Sequence, residues 1–356
     1  MTSIIILNVA ETIKGGVATV LNQLSQCNFD NNFVVPDSQK NNLDAEIGSG
    51  YYFSDSGRGL MSLVRLLFTT FSAARKIKPN VIHLHSSFSL VLAPLLRLAR
   101  YKTKIVYQPH GVFYDSDVPR SKWKIFIIKR VEKVLVMFVD KVLSISEYEK
   151  DLLVKNHGPS KVTLLKNSAA ASKKSIDFEK KRSGFLFVGR LDEQKGIDDL
   201  LRFWSKNTPG TLDVIGDSVR GDFLKPSIDG VKYHGWVEAN KLDNFYANAE
   251  AVIVPSRWEG FGLVVIEAFR NGTPVITSNR GALPELIEVG VTGFTFDFNN
   301  MDHELSDTIS CYQSIIDKPS MRRACFNEYL ANYSLSKYLE NYEFIIKEMI
   351  DAHKHC

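Results

Sequence analysis

The stretch from Ala251 to Phe269 constrains the fold more than any other. Ala251-Val252-Ile253-Val254 is a short, β-branched run stopped by Pro255, which reads as a buried strand, and Gly260 and Gly262 let the chain turn sharply into a helix over Leu263 to Phe269. Strand, glycine turn and helix in that order form the unit of a parallel, doubly wound α/β sheet. The turn sets Glu259 and Glu267 eight positions apart. At about 1.5 Å per residue the carboxylates stand up to roughly 12 Å apart, the span from sugar to ribose across a pyrophosphate, and the free amides and dipole of a helix start suit a diphosphate. Taken without its context, the same pair is a capping acid and a solvent-facing acid.

A second unit of the same shape lies upstream. Phe185-Leu186-Phe187-Val188 reads as a strand, Gly189 as a turn, and Ile197 to Trp204 as a helix, with Arg190 and Lys195 five positions apart at its start. Cations beside the positive end of a helix dipole are unfavourable unless an anion sits there. A pyrophosphate leaving group needs its developing charge neutralised, and without a metal that work falls to Arg and Lys.

The Glu259-Gly260-Phe261-Gly262 turn with Glu267 resembles the E-x7-E signature of the family 4 glycosyltransferases, enzymes of the GT-B fold that retain anomeric configuration. Gly189-Arg190 through Lys195-Gly196 resembles the family's diphosphate clamp, and Arg280-Gly281-Ala282-Leu283-Pro284-Glu285 its Gly-Gly-x-Pro-Glu loop, with Ala282 for the second glycine. Thr292-Gly293-Phe294 is similar to the following Asn-Gly-x-Leu turn, with Thr292 for Asn. Tyr233-His234-Gly235-Trp236-Val237 resembles the turn that reads the nucleobase; Trp236 either stacks on a base or belongs to the core. In the first half, Gly15-Gly16 resembles the acceptor-side glycine loop, and His110 the histidine that hydrogen-bonds the donor sugar.

The resemblance implies two Rossmann-like, doubly wound domains facing a central cleft. It implies transfer of a hexosyl unit from a nucleoside-diphosphate sugar, UDP-linked or GDP-linked, to a hydroxyl of a glycan or a polyprenyl-diphosphate-linked acceptor in cell-envelope polysaccharide synthesis, such as O-antigen or capsule. His110, Glu259, Arg190 and Lys195 would be catalytic. Gly189, Arg190, Lys195, Trp236, Glu259, Phe261, Gly262, Leu263, Val264 and Glu267 would bind donor: Glu259 the sugar hydroxyls, Glu267 the ribose, and residues 261–264 through their amides. No metal and no cofactor are expected. Asp115-Ser116-Asp117 looks like the D-x-D metal motif of a different glycosyltransferase fold and is set aside.

The chain of 356 residues suits two domains. The expected boundaries are 1–167 for an acceptor-binding domain, 168–183 for a small, polar hinge, 184–335 for the nucleotide-sugar domain and 336–356 for a terminal helix crossing back. The charge is split unevenly: net +10 over residues 1–180 and −6 over 181–356, within a total of +4. This points the first half at an anionic partner. Residues 120–138 mix basic residues with aromatics and aliphatics, either as an interfacial helix on an anionic membrane or as a buried helix with a basic edge. Nothing resembles a nucleic-acid fold. Four scattered cysteines show no metal spacing or disulfide framework, no apolar run approaches the ~20 residues of a membrane span, and the N-terminal Ile4 to Leu7 lacks a signal peptide's flank, so a cytoplasmic protein is expected, peripheral on the membrane if 120–138 binds there. The rivals are a non-catalytic sugar-binding or scaffold protein and a sugar-nucleotide epimerase or hydrolase on the same fold. A dehydrogenase is disfavoured because no G-x-G-x-x-G follows the first strand.

Overall fold

The computed structural model describes residues 3–351 except 14, 44–49, 56–58, 100–102, 113–117, 119–120, 173 and 219–222. The Asp115-Ser116-Asp117 triplet and Arg120 lie outside the described residues. The chain forms two compact units, one holding residues up to Asn167 together with Ser336 onward, the other Ser168–Leu335, apart from a few residues around Val118.

Seven parallel strands make the first sheet: β1 (Ile5–Ala10), β2 (Asp30–Pro36), β3 (Gly50–Phe53), β4 (Val81–His85), β5 (Lys104–Gln108), β6 (Lys141–Ser144) and β7 (Val162–Leu164), in the order β3-β2-β1-β4-β5-β6-β7. The connecting helices are α1 (Gly16–Leu24), α2 (Leu60–Ile77), α3 (Ala93–Ala99), α4 (Lys122–Val136) and α5 (Glu147–His157). A parallel sheet covered on both faces needs nearly continuous apolar strands, and β1 is buried along all but its first residue. Leu66 of α2, Leu96 of α3, Val136 of α4 and Leu153 of α5 pack with Leu7, Ile82 and Leu84 in one core cluster, while Leu21 of α1 joins Phe33 and Val35 in another. The strand β2 is disguised in the sequence by its Asp30-Asn31-Asn32 start. Asn31 and Asn32 are nevertheless buried: Asn31 pairs inside with Asn8 and the Phe29 carbonyl, and Asn32 donates to the exposed Asp30 carboxylate.

The second sheet has six parallel strands: β8 (Phe185–Val188), β9 (Leu212–Ile215), β10 (Val231–Gly235), β11 (Ala251–Val254), β12 (Val275–Ser278) and β13 (Gly293–Phe296), ordered β10-β9-β8-β11-β12-β13. Tyr233-His234-Gly235, expected as the first part of a turn running to Val237, instead end an edge strand with a bulge between Tyr233 and Gly235. The helices are α6 (Ile197–Asn207), α7 (Ala239–Asn248), α8 (Leu263–Phe269), α9 (Met301–Gln313) and α10 (Lys318–Glu328). Trp204 of α6 is fully buried edge-on to Phe185, ring centroids 5.5 Å apart, with its indole N–H on the Gly210 carbonyl at 2.9 Å. Removing such a side chain costs about 3–5 kcal/mol. The last helix, α11 (Leu335–Asp351), packs in the first unit, where the buried Tyr342 hydroxyl lies 3.2 Å from Nδ1 of His83 and Glu343 accepts from the Asn28 amide at 3.0 Å.

Both sheets are therefore doubly wound. The winding reverses between β1 and β4 in the first and between β8 and β11 in the second. Ligands of such sheets bind beyond the carboxyl ends of the strands at these switch points.

Candidate active site

At the second switch point, two turns are packed on each other. After β8 the chain passes Gly189 and Arg190 and enters a 3₁₀ turn, Glu193–Lys195, whose start is capped by the Asp192 carboxylate accepting from the Lys195 amide at 3.2 Å. Gly196 then takes φ +65°, and a Cβ there would meet the Pro255 carbonyl oxygen at 2.0 Å, so only glycine lets this turn lie on the one that follows β11. The two turns are laced by Arg257 N–H to the Gln194 carbonyl at 2.8 Å and Gln194 Nε2 to the Trp258 carbonyl at 3.2 Å.

This contact brings Lys195 and Glu259 together. Lys195 Nζ pairs with Glu259 Oε2, and both side chains are mostly buried. Arg190 reaches neither. Its side chain is 47% exposed, and its guanidinium is held by Gln194 Oε1 at 2.6 Å and Asp192 at 3.2 Å, which leaves it accessible to an incoming anion. In this unit sequence reasoning passed over Arg257, which bonds both Asp198 oxygens at 2.8 and 2.7 Å and braces the start of α6.

Beyond Glu259 the predicted residues divide by function of backbone and side chain. Phe261 is buried against Tyr333, centroids 6.1 Å apart, so only its amide is available. Gly262 precedes α8, and Leu263 and Val264 begin it, where amides have no intrahelical acceptor. The backbone of Glu259 is pinned by the loop after β12: Ala282 N–H donates to its carbonyl at 2.9 Å, and a Cβ on Gly281 (φ +55°) would stand 2.1 Å from that same oxygen. Glu267, one to two turns into α8, accepts from the buried Tyr246 hydroxyl at 2.8 Å, and burial raises its carboxyl above the ordinary glutamate range. Trp236 follows β10 and is 78% exposed, not core.

In the first unit Gly15 precedes α1 and Gly16 opens it, beyond the end of β1. His110 follows β5 in the left-handed region, φ +58°, and Ser86 after neighbouring β4 does likewise, φ +81°. Non-glycine residues in that region cost on the order of 1–3 kcal/mol and gather at functional sites. His110 Nε2 lies 3.0 Å from Nδ1 of His85, and His85 Nε2 lies 3.2 Å from Asn8 Oδ1. Burial lowers all three nearby imidazoles, His83 to about 3, His110 to about 4 and His85 well below its usual value. The turn after His110 is fixed by Glu149, which accepts from Gly111 N–H at 2.9 Å and Ile145 N–H at 2.8 Å. Asn8, His85 and Glu149 were not anticipated. The one available signal was His83-x-His85, polar residues inside an otherwise apolar strand.

On α4, Glu132 and Val136 are buried and Leu135 packs on the core, but Trp123, Phe126, Ile127, Val131 and Val134 are exposed among Lys122, Lys124, Lys129, Arg130 and Lys133. No described helix is long and apolar enough to cross a membrane.

Residues 15–169 match the profile of Glycosyltransferase Family 4 and residues 168–325 that of Glycosyl transferases group 1. A protein of the Klebsiella pneumoniae cps region, itself uncharacterized, is 32% identical over 95% of this chain and 99% of its own length. An Escherichia coli UDP-Gal:alpha-D-GlcNAc-diphosphoundecaprenol alpha-1,3-galactosyltransferase is 25% identical over 82% of this chain and 80% of its own. Among solved structures, a sucrose-phosphate synthase from Thermosynechococcus elongatus superposes with a TM-score of 0.81 at 18% identity, covering 98% of this chain and all of that one. With two doubly wound sheets and the turn residues at their switch points, the chain belongs to the family 4, group 1 glycosyltransferases and has the GT-B fold.

Proposed function

We propose that this glycosyltransferase moves a hexosyl unit, with retention, from a UDP-sugar to a hydroxyl of a lipid-linked glycan in cell-envelope polysaccharide synthesis. The observation that carries the reading is the Lys195–Glu259 pair beside the accessible Arg190. A nucleoside diphosphate replaces Glu259 as the partner of Lys195, and Arg190 takes further phosphate oxygens, so the leaving group is neutralised without a metal. Glu259, released, accepts from sugar hydroxyls; Glu267 accepts from the ribose; Trp236 offers a face to the base. His110 hydrogen-bonds the donor sugar, and the Gly15-Gly16 turn serves the acceptor.

The cps-region relative and the diphosphoundecaprenol-dependent relative favour a polyprenyl-diphosphate-linked acceptor. So does α4, whose exposed aromatics among five basic residues suit the interface of an anionic leaflet, at about 1 kcal/mol per basic residue near the surface. The enzyme would work from the cytoplasmic side.

Thermal shifts with UDP, GDP, ADP and CDP, with and without magnesium, test the donor assignment. A nucleotide at about 100 times its dissociation constant adds ~2.7 kcal/mol. A magnesium-independent shift with UDP is expected; no shift with any of the four sinks the assignment.

A further inference from the structure

The buried polar chain behind His110 has a direction. Asn31 Nδ2 lies 3.1 Å from the Phe29 carbonyl, and Asn8 Nδ2 lies 3.5 Å from the Asn32 carbonyl. A carbonyl only accepts, so each amide must turn its nitrogen toward it, and Asn8 Nδ2 then donates to Asn31 Oδ1 at 3.0 Å. Asn8 Oδ1 is consequently the atom that faces His85 Nε2, 3.2 Å away, and that nitrogen must carry the proton. A neutral imidazole has one N–H, so His85 Nδ1 is a bare lone pair. His110 Nε2, 3.0 Å from it, must in turn be the donor.

We infer that Asn8 and His85 are positioning residues that hold His110 as its Nε2–H tautomer and leave His110 Nδ1 an acceptor. The inference rests on the sugar-binding role given to His110 above and sharpens it: the group His110 recognises must donate a hydrogen bond. A sugar hydroxyl fits. A carboxylate or carbonyl oxygen in the same place would set lone pair against lone pair. Burial keeps the rings neutral at neutral pH, so no second proton blurs the assignment. The left-handed backbone at both His110 and Ser86 fixes the approach of the ring to the strand end of β4, where Ser86 N–H donates to the Gln108 carbonyl at 2.9 Å.

The test is the tautomer itself, read on the full-length ¹⁵N-labelled protein by long-range ¹H–¹⁵N correlation of the imidazoles, with His110→Gln used to assign the His110 signals. The wild type should show a protonated, pyrrole-like Nε2 and a bare, pyridine-like Nδ1. A protonated Nδ1, or an averaged pair of nitrogens, in the wild-type protein overturns the inference. In His85→Phe, with a dispersed amide spectrum as the check of folding, His110 should become a mixture of tautomers and the donor KM should rise about tenfold, the worth of one hydrogen bond. An unchanged Nε2–H signature in that variant also overturns it. His110→Ala with donor kcat and KM unaltered would instead remove the sugar-binding role, while the wild-type spectrum still decides whether the relay exists.

Discussion

Lys195 and Glu259 are joined across the turns that follow two neighbouring strands, β8 and β11, at the point where the second sheet reverses its winding. The two charges are paired with each other, and the proposed function gives each a different part of the donor. The two should therefore respond oppositely to mutation. Lys195→Met removes a charge-assisted bond to phosphate, worth ~1.5–3 kcal/mol, and should weaken UDP binding about 10- to 100-fold. Glu259→Gln frees Lys195, so UDP should bind as well as or better than before while turnover collapses. Calorimetric titration of UDP into both variants, with turnover measured alongside, checks this; equal weakening in both would refute the exchange of partners.

Glu267 should make donor affinity depend on pH. A carboxylate accepts from both ribose hydroxyls only when ionised, and burial lifts its ionisation above the ordinary glutamate range. Affinity should thus fall as pH drops through that raised value. The Tyr246 hydroxyl pulls the other way by donating to the carboxylate, so Tyr246→Phe should shift the fall to higher pH. Superimposable affinity profiles for the wild type and Tyr246→Phe would remove Glu267 from donor binding.

The strand-turn-helix units were legible because each is local. Ala251 to Phe269 announces its strand by β-branching, its turn by Gly260 and Gly262 and its helix by length, and the structure has all three in place. What stayed hidden depends on partners distant in the chain. The strand β2 begins with three polar residues that are tolerable only because Asn8, from β1, satisfies Asn31. Arg257 looks like any surface cation until Asp198 and the Glu193 carbonyl are brought beside its guanidinium. Trp236 could not be sorted between core and surface, since an edge strand and a buried one read alike over five residues; it is exposed. His110 stood out by its place after a strand, but the asparagine that orients it lies about a hundred positions away.

Gly196 and Gly281 hold the site from either side, and alanine at either should damage binding more than its size suggests. Both have positive φ, and both would push a Cβ into a backbone oxygen, of Pro255 in one case and Glu259 in the other. The left-handed backbone alone costs ~1–3 kcal/mol for a non-glycine residue, and neither oxygen can rotate away. Gly196→Ala should separate Lys195 from Glu259 and lower UDP affinity. Gly281→Ala should spare UDP and raise the KM for the intact donor, because it displaces Glu259, to which the proposal assigns the sugar, and not Lys195, to which it assigns the phosphate. The same loss for both ligands in both variants would argue for general unfolding.

The first unit should lose stability in mild acid, and the histidines set the window. His110 and His83 titrate near 4 and 3 in the folded chain against 6.5 when free, because burial penalises the charged ring. Between the two values the unfolded chain holds protons that the folded chain refuses. Stability therefore rises with pH across this range, is complete above 6.5, and is lost as pH falls toward 4, at up to about 1.4 kcal/mol per pH unit for each such histidine. Hydrogen-exchange protection of the β4 and β5 amides, corrected for intrinsic rates, should decline from pH 6.5 to pH 4, while β11 and β12, which contain no histidine, should decline less. His110→Gln should flatten part of the slope in β4 and β5. An acid response equal in the two sheets would mean that the buried imidazoles are not its source.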